Sequence, residues 1–151
     1  RNTAGYRAVA KTLQTVGQRL CRDGLQLAYH HHAFEFETFE GKTGLQWLMD
    51  ETDPETLKIQ IDTYWVHEGG GDPAAFIRGL DGRCAMVHLK DRARDGSFGE
   101  VGSGTLDFPA IFEAAESAGV GAYIVEQDTC PRDPFDCISA SLDYLKKSGF
   151  F

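Results

Sequence analysis

The chain has little positive charge, few cysteines and no long apolar run, and each shortage removes a class of function. Against 23 acidic residues stand 15 lysines and arginines in 151, a formal net charge of −8 with a pI near 5.0. Neutralising phosphates needs clustered Lys and Arg, so a nucleic-acid partner is not expected. No stretch approaches the roughly 20 apolar residues that cross a bilayer, and the first residues do not read as a signal peptide. The expectation is a soluble, cytoplasmic protein with no membrane partner. Cys21, Cys84, Cys130 and Cys137 show no CxxC spacing and read as reduced thiols. Only Cys130 and Cys137 lie near enough in sequence to suggest a bridge.

What the chain does have is four strand-like runs, each ending on an ionisable residue: His30 in LQLAYH, Asp62 in LKIQID, His88 in CAMVH and Glu126 in AYIVE. Side chains two apart share a strand face. Gln26, Ala28, His30 and His32 therefore oppose Leu25, Leu27 and Tyr29, and Gln60 and Asp62 oppose Ile59 and Ile61. Met86, His88 and Lys90 likewise oppose Ala85, Val87 and Leu89, while Ile124, Glu126 and Asp128 oppose Tyr123 and Val125. One face is apolar throughout, and the other turns polar toward the C-terminal strand ends. A parallel sheet built this way packs its apolar face on helices and aims one nitrogen or oxygen ligand per strand at a common point.

The intervening stretches read as helical crossovers. Residues 4–22 form a leading helix with an apolar stripe of Val9, Leu13, Val16 and Leu20. Residues 43–51 give a short helix closed by the Asp53-Pro54 turn. Asp72 and Asp107 cap the next two, with Pro73 at the first helical position of the earlier one, and the later one stops at Gly119. The last helix carries Phe135, Ile138, Leu142 and Leu145 on one side. The order is a helix followed by four strand-helix units. An eight-stranded barrel typically needs about 250 residues, so the expectation for 1–151 is a single α/β domain, either a small open sheet or half of a barrel. Unpaired strand edges invite pairing, which favours a homodimer formed through the open face.

The segments YHHHAFEFE, IDTYWVHEGGGDP, GRCAMVHLKD, VGSGTLDFPAIFEAAESAGV and YIVEQD resemble, in order and spacing, the C-terminal half of sugar phosphate isomerase/epimerase proteins of the xylose-isomerase-like TIM-barrel superfamily. The resemblance runs from about residue 5 to 149. It implies half of a (β/α)8 TIM barrel, with this chain supplying barrel strands five to eight. It implies that Asp62, His88 and Glu126 are ligands of a divalent metal (Mn, Mg, Co or Zn), and that His30 stands where the family commonly has Glu. Ala33 stands where an acidic residue is often seen.

The chemistry implied is proton transfer on a sugar, sugar phosphate or keto-polyol. Glu126 is the base, His32 or Lys90 stabilises the enediolate oxygen, and Trp65, His32 and Lys90 contact substrate. Isomerisation, epimerisation and dehydration all begin this way. Plainer readings stand beside these. His31 faces the helices by parity and reads as structural; Lys90 and Asp91 also read as a surface ion pair; Tyr64 and Trp65 also read as core. His67 and Glu68 read as loop residues, and 91–104 as an exposed, mobile loop over the catalytic face. A non-catalytic half-barrel that binds metal or sugar, or serves in assembly, is the alternative from another class. A metal-dependent endonuclease of the same superfamily is disfavoured by the acidic charge.

Overall fold

The structure, a computed structural model, describes residues 1–80 and 82–150. Four parallel strands form its sheet in the order β1 (Leu27–His30), β4 (Leu57–Asp62), β5 (Cys84–Leu89) and β8 (Ala122–Val125). The pairs His30–Gln60, Asp62–His88 and Leu89–Val125 fix the register. Two short hairpins rise beyond the strand ends: β2 (Thr38–Phe39) with β3 (Lys42–Thr43), and β6 (Asp91–Arg92) with β7 (Phe98–Gly99). The helices are α1 (Thr3–Arg22), α2 (Gly44–Asp50), α3 (Thr63–Glu68), α4 (Pro73–Arg78), α5 (Phe108–Ser117) and α6 (Pro134–Lys147). Together they make the α/β layering of a partial TIM barrel, as expected.

The helix starts obey local chemistry. Asp72, Asp107 and Asp133 each accept a main-chain N–H of the first turn, and each precedes a helix with Pro in its first two positions. Thr43 and Gln46 form a reciprocal capping box for α2. The core lies between the helices and the apolar sheet face, where Leu57, Ile59, Ile61, Val87 and Leu89 are essentially inaccessible. The opposite face stays open, with Ile124 exposed and the Gln60 amide against the Met86 sulfur. At the N-terminal end of the sheet the Arg83 guanidinium reaches the carbonyls of Met49, Thr52 and Leu57 and the Thr52 hydroxyl.

Two expectations about helix faces need correction. Val9 and Val16 of the expected α1 stripe are exposed, and the helix instead buries Tyr6, Ala10 and Gly17. Gly17 decides this, because a Cβ there would sit 2.5 Å from the Thr56 carbonyl oxygen; only the side lacking a side chain lets the helix approach so closely. On α6 the buried residues are Cys137, Ser141 and Leu145, while Phe135, Ile138 and Leu142 face outward. The Ser141 hydroxyl draws that narrow face inward by accepting from the Val101 N–H. All four cysteines are free thiols, Cys130 and Cys137 included.

Candidate metal centre

The strand ends bring His30, Asp62, His88 and Glu126 together. His30 and Asp62 are the last residues of β1 and β4, His88 is the penultimate residue of β5, and Glu126 directly follows β8. One potential ligand atom from each lies within 4.8 Å of all the others. His88 Nδ1 is 3.9 Å from Asp62 Oδ2 and touches Glu126 Oε2, and the His30 and His88 rings are 4.8 Å apart. His30 Nδ1, Asp62 Oδ2, His88 Nδ1 and Glu126 Oε2 are all buried, and none has a partner in hydrogen-bonding geometry. A buried polar atom left unsatisfied costs about 1–3 kcal/mol. Four such atoms, one per residue and all facing one point, fit a divalent cation.

The remaining carboxylate oxygens of the cluster are committed, Glu126 Oε1 to the Lys90 ammonium at 3.4 Å. Asp62 Oδ1 accepts the Trp65 N–H at 3.0 Å and so caps α3, leaving only Oδ2 toward the cluster. Burial pushes the Asp62 carboxyl up to about 7, against the opposing effects of the Trp65 N–H and of Lys90. Burial, with His88 and His32 nearby, holds the His30 imidazole below its ordinary value.

Lys90 and Asp91 do not form a surface ion pair; both are buried, and alternation sends them opposite ways. Lys90 Nζ lies 2.5 Å from Asp128, 3.4 Å from Glu126 and 3.7 Å from Asp62. Burial works against its charge, but Asp128, then Asp62 and Glu126, outweigh this and raise its pKa. Asp91 accepts the N–H groups of Arg92, Gly102, Gly104 and Leu106. Its carboxylate thereby gathers the 91–104 segment, in which Gly99 and Val101 are buried rather than exposed. The hairpin is also tied to α3, through Tyr64 Oη to the Gly96 carbonyl at 2.8 Å and Arg92 to Glu68 at 2.6 Å. His67 and Glu68 thus lie in α3 rather than in a loop.

An aromatic wall adjoins the cluster. The His32 ring lies 5.2 Å from Trp65 and 4.9 Å from His30, and Lys90 Nζ sits 4.6 Å from the Phe98 ring and 5.4 Å from that of Trp65. The Trp65 indole N–H is buried without a partner, so His32, Trp65 and Lys90 stand beside the four ligand candidates. Sequence reasoning missed Phe98 and the pairing of Asp128 with Lys90. Alternation had placed Asp128 on the Glu126 face, which was a usable signal; nothing in the glycine-rich run marked Phe98.

A parallel strand-helix layer with nitrogen and oxygen side chains converging at its C-terminal edge has its cluster where TIM-barrel proteins place their sites. The chain belongs to the xylose isomerase-like TIM-barrel family, whose model matches residues 1–148. Among curated relatives, inosose dehydratase of Lacticaseibacillus casei is 27% identical over 93% of this chain and 53% of its own length. That of Clostridium beijerinckii is 30% identical over 99% and 57%. The crystal structure of a sugar phosphate isomerase/epimerase from Parabacteroides distasonis superposes with a TM-score of 0.88 at 25% identity, covering 99% of this chain and 55% of that one. A 3-keto-D-glucoside 4-epimerase from E. coli shares the fold, with a TM-score of 0.73 at 22% identity over 97% and 56%. The chain spans about half the length of the curated relatives it matches.

Proposed function

We propose that this chain is the metal-holding part of a divalent-metal-dependent enzyme that removes a proton beside the carbonyl of a sugar or keto-polyol. The observation carrying this reading is the convergence of four buried atoms, one each from His30, Asp62, His88 and Glu126, within 4.8 Å of one another and none in hydrogen-bonding geometry. Two imidazoles and two carboxylates suit Mn²⁺, Co²⁺ or Zn²⁺ better than the all-oxygen preference of Mg²⁺. When bound, such an ion polarises a substrate carbonyl.

The chain's own residues then divide the work. Glu126 takes the proton from the neighbouring carbon and returns it to the adjacent carbon, giving isomerisation, while delivery of a proton to the opposite face of the same carbon by a donor on that side gives epimerisation. The Lys90 ammonium, already beside Glu126, and His32 face the developing oxyanion. Trp65 supplies an apolar ring for the sugar face and one unpaired N–H for a hydroxyl. Loss of a hydroxyl from the next carbon, with Lys90 as the acid, turns the same opening step into dehydration. The inosose dehydratases among the relatives favour this second reading.

The test is metal analysis of the purified protein, followed by solvent deuterium uptake into ketoses and inososes. Metal-dependent uptake that a chelator abolishes is the expected result. Metal binding without uptake assigns the chain to a binding module, and failure to bind Mn²⁺, Co²⁺ or Zn²⁺ at millimolar concentration overturns the proposal.

A further inference from the structure

His31 was expected to be structural, and it is fully buried, but its two ring nitrogens connect it to the centre. Along β4 successive N–H groups point alternately to the two neighbouring strands. The Ile59 N–H donates to the Arg83 carbonyl on the β5 side, so the Asp62 N–H points toward β1. There the ladder has already ended at the His30–Gln60 pair, and no strand carbonyl awaits it. His31 Nε2 accepts this N–H at 3.2 Å. A ring nitrogen that accepts carries no proton, so the proton sits on Nδ1, which is 3.2 Å from the His32 carbonyl and donates to it.

Glu126 makes the comparison clear. Its N–H is held by the Leu89 carbonyl at 3.2 Å, an ordinary continuation of the sheet. Asp62, the other carboxylate of the cluster, has a side chain in place of that ladder bond. Phe36 packs edge-on against the His31 ring at 5.3 Å and fixes its plane.

We propose that His31 is a positioning residue of the metal centre: as the Nδ1–H tautomer it ties the main chains of His32 and Asp62 together, and so sets where Asp62 Oδ2 points. The inference rests on the metal reading above. Groups that orient ligands in this way are typically worth about 10- to 100-fold in metal affinity.

The test compares H31F, which keeps a ring but neither nitrogen, with H31Q, whose amide oxygen reaches the Nε2 position. Co²⁺ is titrated by calorimetry and by its visible spectrum, and exchange of the Asp62 amide is followed without metal. H31F is expected to bind Co²⁺ about tenfold or more weakly and to exchange faster at Asp62, while H31Q recovers to within about threefold of wild type. Wild-type affinity, spectrum and exchange in H31F overturn the role. Equal loss of affinity in H31Q with wild-type exchange at Asp62 overturns it too, because the Asp62 link is then intact while the defect remains. If H31F does not fold, H31Q alone decides, with retained affinity and exchange supporting the role. Wild-type protein that binds no Co²⁺ defeats the metal reading instead, and the Asp62 exchange comparison still judges the tether.

Discussion

Replacing Asp62 by Asn separates what the cluster costs the fold from what it provides to a metal. Asn keeps the oxygen that accepts the Trp65 N–H but removes a carboxylate that the fold buries completely. Its carboxyl lies at about 7 in the folded chain against 3.8 ordinarily, so the folded state holds the proton more tightly than the unfolded state. The stability this provides is complete below about pH 4 and is lost as pH rises through about 7. At about 1.4 kcal/mol per unit, the loss reaches roughly 4 kcal/mol at pH 8 and about 2 kcal/mol at pH 5. Urea unfolding in EDTA should therefore show D62N close to wild type at pH 4 and ahead by about 4 kcal/mol at pH 8. Co²⁺ at a thousand times its Kd returns about 4 kcal/mol to wild type and little to D62N, closing the gap. Metal-free D62N no more stable than wild type at pH 8, or equally stabilised by Co²⁺, would refute the reasoning.

Three further outcomes are expected. E126Q loses solvent deuterium uptake by about 10²- to 10⁴-fold, and uptake within threefold of wild type removes Glu126 as the base. D91N, which sets an amide NH₂ among the four N–H groups now facing the carboxylate, costs about 3 kcal/mol or more in urea unfolding; a loss under about 0.5 kcal/mol shows that Asp91 does not organise the segment. The 151-residue chain by itself self-associates through its exposed strand edges and the apolar side chains Val9, Val16, Phe135, Ile138 and Leu142, and a compact monomer in sedimentation at micromolar concentration contradicts this.

Strand periodicity was enough to place His30, Asp62, His88 and Glu126 on one face, because a period of two leaves no freedom once the apolar face is assigned. The long helices α1 and α6 were legible from their apolar spacing and α4 and α5 from their Asp caps, but the faces that α1 and α6 bury were not. Hydropathy chose Val9 and Val16 on α1, whereas close approach at Gly17 selected the small-residue side. Helix α3 was invisible for a different reason: it begins on Asp62 itself, so its cap was already read as the end of a strand. The His31 link lay hidden because it depends on where the β1 ladder stops relative to β4, a matter of register between strands rather than of composition within one. The role of Asp91 was hidden in the same way, since it reads as an ordinary loop acid until the main chain curls around it.

The double use of Asp62 narrows the paths along which this protein can drift. Glu at that position would carry the charge but be too long for the cap geometry, and Asn would hold the cap while losing the charge. A lineage that keeps a charge at residue 62 by any side chain other than Asp must rebuild the start of α3 in the same step, and α3 carries Trp65 and the Tyr64 bond to the hairpin. The side chains of Trp65 and Phe98 take no part in that cap, which uses only the Trp65 main-chain N–H, so change beside the cluster has its easier route through them.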